Sequence, residues 1–346
     1  MTTDEPIPDG PDEEIPPDEP LIDDTKPISR HLRVVLIALA VGMFVGGIAW
    51  NIQRGKSLRE QWKKKNDDPS KSPYAGPRYV APPPGDAYPW VTSYDAANSI
   101  AARIPPPSGT VRVEVSPDGF AHWLRYLPVK PGQQKVMLHD GQPKRNQHAH
   151  WAVLDVDVGP EDLQQSAKAV LRLRAEYLFA RNKYDEISFH ISRNDTLPWN
   201  RWRKGDRPVA LEGGVIMWNT KAAKPDDSYA NFRKYLDAVF GCGYADAATL
   251  ALDMKPVSEA KDIQIGDVFV HPGKPGHAVI VVDMVRDAQS GDKGFLLAQS
   301  FIPAQDVHIL VNAYNPEGPP WYRTNFGQTL RTPEWTFPAS ELRRFP

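Results

Sequence analysis

Three residues of this sequence supply its most reactive chemistry: Cys242, His277 and Gln299. Cys242 is the single cysteine, placed between Gly241 and Gly243 just ahead of a predicted helix, Ala245–Met254. A thiol at a helix N-terminus gains thiolate character from the dipole, and a neighbouring imidazole lowers its pKa further. His277 opens a β-branched run directly after Gly276. In a strand alternate residues share a face, so His277, Val279, Val281 and Asp283 point one way. If the following loop pairs Asp283 with Phe295, then Val279 faces Gln299. Gln299 then lies diagonal to His277, roughly 7–8 Å away between backbones and within side-chain reach. Asp283 lies about 20 Å along the strand, too far to orient the ring. A one-residue slip would put Ser300 in place of Gln299. The expected chemistry is nucleophilic attack by a thiolate, with His277 as base and Gln299 as orienter. The competing reading is structural, since a free cysteine also packs as a small hydrophobe.

The elements that must position these residues can be read from pattern. Asp267–His271 and His277–Met284 are apolar runs split by a Pro/Gly turn, and Gly294–Phe301 follows to close an antiparallel hairpin. Gly159-Pro-Glu-Asp162 predicts a helix entry, with the helix running to about Asn182 and pairing Arg172 with Glu176 at i,i+4. Shorter helices are expected over 95–103, 119–126 and 227–240, and strands over 111–115, 134–138, 150–158 and 187–191. Trp199–Trp202, with Arg201, Arg203 and Lys204, reads as an aromatic-basic loop that either packs on the surface or rims a ligand. The expected fold class is α+β, an antiparallel sheet with packed helices over 90–346.

Ahead of this body lies a different chain. Ten Asp/Glu precede the first base, Lys26, and proline recurs, so residues 1–32 read as a disordered acidic tail. Val34–Trp50 carries no charge and spans about 25 Å as a helix. Arg33 and Arg54 can snorkel from its ends, so 33–53 is expected to be one transmembrane helix. Gly42 and Gly46 have the spacing of a dimerising helix face. Residues 54–89 form a basic, then Pro-rich, linker. A net charge of −2 argues against nucleic acid as a partner. His148 and His150 are the one hint of zinc, and without a clear third ligand they predict no metal site. No Gly-rich phosphate loop is present, and no cofactor is expected.

Several motifs carry a resemblance. Asp162-Leu-Gln-Gln165, Arg172-Leu-Arg-Ala-Glu-Tyr-Leu178, Pro275-Gly-His-Ala-Val-Ile-Val-Val-Asp283, Leu296–Gln305, Pro320-Trp-Tyr322 and Thr332-Pro-Glu-Trp335 occur in this order. Together they resemble a bacterial family catalogued as a domain of unknown function, many of whose members are exported or lipid-anchored envelope proteins. The match spans about residues 95–346. It implies one body domain in the envelope, hence a single-pass inner-membrane protein with a periplasmic body, although basic residues after the span favour the opposite orientation. Family members tend to carry a cysteine after Asp-Leu-Gln-Gln, where this chain has Ser166. The resemblance therefore carries no thiol over to that position.

The order cysteine at a helix start, histidine opening a strand, polar residue on the next strand also resembles NlpC-type papain-like peptidases and amidases, which cleave cell-wall peptides. That resemblance implies Cys242 as nucleophile, His277 as base and Gln299 as orienter in a papain-like arrangement, although Cys-Gly-Tyr-Ala departs from the usual motif around the nucleophile. The alternative is a module that binds peptide or glycan without cleaving it. Arg174, Glu176, Trp202, Ser300, Gln305, Trp321 and Tyr322 are the candidate ligand contacts.

Overall fold

The computed structural model describes residues 81–210, 216–241 and 245–346. The predicted tail, the membrane span with Gly42 and Gly46, most of the linker, and Cys242 lie outside the described residues. Among the described residues no helix is long and apolar enough to cross a membrane.

Strands and helices alternate irregularly along the chain. The helices are α1 (Ile100–Arg103), α2 (Phe120–Arg125), α3 (Ala167–Ala180), α4 (Trp199–Arg203), α5 (Tyr229–Gly241) and α6 (Ala247–Leu252). The strands begin with β1 (Thr110–Arg112), β2 (His150–Val153), β3 (Ser188–His190), β4 (Thr196–Pro198), β5 (Arg207–Ala210), β6 (Ile216–Asn219) and β7 (Lys255–Pro256). They continue with β8 (Val268–His271), β9 (His277–Asp287), β10 (Lys293–Gln299), β11 (His308–Leu310) and β12 (Tyr322–Arg323). The last three are β13 (Thr329–Arg331), β14 (Thr336–Pro338) and β15 (Leu342–Arg344). The fold is mixed α and β around a nine-stranded sheet, ordered β2-β11-β10-β9-β8-β15-β7, with β1 added to β9 and β12 to β10. Every pairing in it is antiparallel.

The run His277–Val285 is buried throughout because β9 is covered on both faces. Ala278, Ile280 and Val282 join the core that contains Val170 and Leu171 of α3. Val279 and Val281 pack with Phe269, Leu330 and Phe337 on the other face. A strand covered on both faces reads as continuous hydrophobicity, which is the pattern here. Asp283 is the exception, fully buried and held by Arg112 Nε at 2.5 Å and Arg125 Nε at 2.7 Å. It ties β1 and α2 to the central strand.

Three expectations change in the structure. The helix predicted from Gly159 starts only at Ala167, because Ser166 has φ 37° and cannot continue a helix backwards. Residues 134–138 form only isolated bridges in place of a strand. Trp199–Arg203 is a helix, with Trp199 and Trp202 turned into the core against Tyr235.

Candidate active site around Ser166 and His277

The site is assembled from the start of α3, the start of β9 and the end of β10. Gly276 permits the approach: a Cβ there would stand 2.8 Å from Ala247 Cβ and 2.9 Å from the Gly273 carbonyl. Where the register of β9 and β10 is expected to pair Asp283 with Phe295, the ladder instead begins with Lys293 opposite Arg286 and sets Phe295 opposite Met284 and Leu296 opposite Asp283. A bulge between Leu296 and Leu297 then absorbs one residue, and Ala298 faces Ile280. Gln299 thereby reaches the face of His277.

His277 is the hub. Its Nδ1 lies 2.7 Å from Ser166 Oγ and its Nε2 lies 2.9 Å from Gln299 Oε1. Gln299 Nε2 donates to Glu334 Oε2 at 2.7 Å. Glu334 also pairs with Lys144 Nζ and accepts from Asn146 Nδ2 at 3.2 Å. A carboxylate only accepts, so Glu334 fixes the amide with its nitrogen outward and its oxygen toward the ring. The ring must then carry its proton on Nε2 and leave the Nδ1 lone pair for the Ser166 hydroxyl. That hydroxyl in turn accepts from the Ala278 N–H at 3.0 Å. Each polar atom in the chain has a defined role.

Burial lowers the His277 pKa to about 4, with the Lys144 charge adding to the effect and the Gln299 hydrogen bond opposing it. The imidazole is neutral at pH 7. Phe301, Trp335 and Phe337 surround it, with ring centroids 4.7, 5.2 and 5.7 Å away. Ser166 is 4% exposed, and His277 and Gln299 are each 1% exposed. His271, the cross-strand partner of His277, is partly exposed and is held through Nδ1 by Glu341 at 2.7 Å.

Ser166 has unusual local structure. It occupies the N-cap of α3, yet its side chain makes no cap hydrogen bond. A serine there ordinarily bonds the N2 or N3 amide, worth about 0.5–2 kcal/mol. It also holds a positive φ, which costs a non-glycine residue on the order of 1–3 kcal/mol. Both sacrifices point Oγ at His277. Local cost accepted for a side-chain direction is a mark of functional sites.

The other candidates are dispersed over the domain. Ser300 Oγ lies within hydrogen-bond distance of the Gln164 and Gln305 carbonyls, 3.1 and 2.9 Å away, and braces the chain before Ser166. Gln305 Nε2 donates to the Pro303 carbonyl in the same loop. Glu176 is fully buried with Arg172, Tyr229 and Arg233. Arg172 also donates to Gln164 Oε1 at 2.5 Å, so this ionic cluster backs the segment leading to the serine. Arg174 instead lies over Phe120 and Phe345, in a packing role away from His277. Trp202 does not rim a site: its Nε1 donates to Asn231 at 3.0 Å and Arg207 covers its ring. Trp321 and Tyr322 line a separate cavity. Among the described residues no group of three or more His, Cys, Asp or Glu could hold a metal ion.

Sequence reasoning missed Ser166, Lys144 and Glu334. The signal for the serine is its place directly after Asp-Leu-Gln-Gln, and that for Glu334 is the Thr-Pro-Glu-Trp motif.

The fold and site define a mixed α/β domain with a buried hydroxyl–imidazole–amide–carboxylate chain at a helix start. The family model described as "Domain of unknown function (4846)" matches residues 100–344, and the chain belongs to that family. No curated protein and no solved structure matches it.

Proposed function

We propose that this domain is an amide hydrolase of papain-like chain order that uses Ser166 Oγ as its nucleophile. The observation that carries the reading is the hydrogen-bonded chain Ser166–His277–Gln299–Glu334 at the start of α3. The order is that of the papain-like resemblance: nucleophile at a helix start, histidine opening a strand, polar orienter on the next strand. Ser166 takes the nucleophile's place in this reading, and Cys242 has no role. The ring faces its nucleophile through Nδ1, whereas the serine-protease triad uses Nε2.

In the first step Oγ bonds to the carbonyl carbon while its proton passes to His277 Nδ1. The imidazolium is stabilised by Gln299 Oε1, which accepts from Nε2–H. The C–N bond then breaks, and the leaving amine takes the proton from Nδ1. Water attacks the acyl-ester with the same base and releases the acid. The proposed substrates are cell-wall peptides, and the proposed setting is a membrane-anchored body in the periplasm. A reporter fused after Pro346 tests that setting: activity only in the cytoplasm would refute it.

The testing experiment incubates the full-length protein with cell-wall peptides. Ser166→Ala should abolish release of new amino groups, Cys242→Ala should leave it unchanged, and Ser166→Cys should retain turnover. Turnover that survives Ser166→Ala overturns the proposal.

Burial of Ser166, His277 and Gln299 favours a second reading, an envelope module that binds peptide or glycan without cleaving it. Retention of wall fragments without product would support that reading.

A further inference from the structure

A cavity of about 490 Å³ opens at the end of the β9–β10 hairpin remote from Gln299, where Val285 and Lys293 meet β12. Lys293 and Gln299 are the two ends of β10, about 20 Å apart along the strand. The cavity is therefore separate from the Ser166 chain. Its volume falls within the range of small-molecule sites, roughly 300–1,000 Å³.

Two aromatic rings in its lining are held by their polar ends. Trp321 Nε1 donates to the Pro105 carbonyl at 3.0 Å. The Tyr314 hydroxyl donates to the Thr329 carbonyl at 3.1 Å and accepts from the Arg331 N–H at 2.9 Å. Tyr314 is nonetheless 48% exposed, with the Arg331 guanidinium 5.2 Å from its ring centroid, so the ring is fixed in place while still meeting solvent. A fixed, exposed aromatic loses little entropy when a ligand stacks on it. Asn315 and Asn325 also line the space, and no hydrogen bond to another described residue engages their side-chain amides. The charges balance: Asp287 and Asp292 against Lys293 and Arg323. A balanced lining gives no net field to select a phosphate or a polycation.

We propose that this cavity binds a neutral saccharide, with the exposed Tyr314 ring taking the apolar side of a pyranose ring and the two asparagine amides bonding its hydroxyls. An amide offers both a donor and an acceptor, which a sugar hydroxyl matches as acceptor and donor. The proposal does not rest on the hydrolase reading. If both hold, the cavity anchors a glycan strand while a peptide attached to it reaches Ser166.

The test titrates full-length protein in detergent with triacetylchitotriose, cellotriose and the peptide Ala-Glu-Lys-Ala, following tryptophan fluorescence and calorimetric heat. Saturable binding of at least one trisaccharide is expected, weakened tenfold or more by Asn325→Ala and by Tyr314→Ala. Both residues are exposed, and unchanged thermal melting would show that the variants fold. Absence of saturable sugar binding, saturation by the peptide alone, or sugar binding that both folded variants leave intact would each overturn the proposal. Sugar binding should persist in Ser166→Ala, which separates this site from the hydrolase chain.

Discussion

Gln299 Oε1 lies 2.9 Å from His277 Nε2, and the amide that carries it is oriented by Glu334 on its other side. The hydrogen-bonding polarity of the imidazole is therefore set through Gln299 by Glu334, in the turn between β13 and β14. Lys144, 6% exposed, neutralises that carboxylate.

Glu334→Gln tests this arrangement. The variant can present its own amide oxygen to Gln299, but Lys144 is left buried without a counter-charge. Removing one partner of a buried pair costs about 3–5 kcal/mol. A stability loss of about 3 kcal/mol is expected in urea unfolding, and Lys144→Met added to Glu334→Gln should recover part of it. If turnover occurs, kcat should fall by about 10- to 100-fold with KM little changed. A loss of stability below about 1 kcal/mol would deny the pair its bracing role.

The buried imidazoles give a pH prediction. Burial holds the His277 pKa at about 4, below its ordinary 6.5, and holds that of His308 well below the same value. Between those limits the unfolded chain binds protons that the native state refuses, so native stability falls as pH drops. His277 alone contributes a loss of about 3 kcal/mol between pH 6.5 and 4. Above pH 6.5 its contribution is flat. Urea unfolding of wild type and His277→Gln across pH 4–8 isolates this group. Parallel curves for the two proteins would show that His277 titrates as an ordinary histidine.

Asp283 is the corresponding test of the scaffold. Its carboxylate is fully buried, and the charges of Arg125 and Arg112 overcome burial to hold its pKa below the usual range. Asp283→Asn leaves two guanidinium groups without their anion in the core. A stability loss of about 3–5 kcal/mol is expected. In the folded fraction the His277–Gln299 geometry should persist, because Asp283 lies well along β9 from the ring. An unfolding midpoint within error of wild type would remove the tie between β1, α2 and β9.

The central strands were legible in the sequence because a continuous β-branched run and the Pro/Gly turn before it leave few alternatives. The closeness of His277 and Gln299 follows from alternation and register, with the bulge at Leu296–Leu297 correcting a mispairing at the far end. Ser166 was hidden by helix periodicity. Acids at Glu161 and Asp162 imitate a first helical turn, while the true start waits for a strained serine that no propensity favours. Glu334 and Lys144 belong to segments far from His277 in sequence, and only the folded chain brings them together. The Trp199–Trp202 cluster misled for another reason: the same residues suit a ligand rim or a core helix, and burial decides.

The strain at Ser166 yields the last prediction. If φ 37° is imposed to aim Oγ at His277, glycine should accept the backbone more readily than alanine, whose Cβ meets the same clash. Both variants lose the hydroxyl, and both leave the His277 lone pair and the Ala278 N–H without Oγ. That shared loss cancels in the comparison, so Ser166→Gly should be more stable than Ser166→Ala by about 1 kcal/mol. The direction is the reverse of the usual preference of α-helices for alanine, because the strained position lies just before α3 and not within it. Chemical denaturation of the two variants at pH 7 is sufficient to measure it. Alanine matching or exceeding glycine would mean that the backbone at 166 relaxes freely, and that its conformation is not maintained for the sake of the hydroxyl.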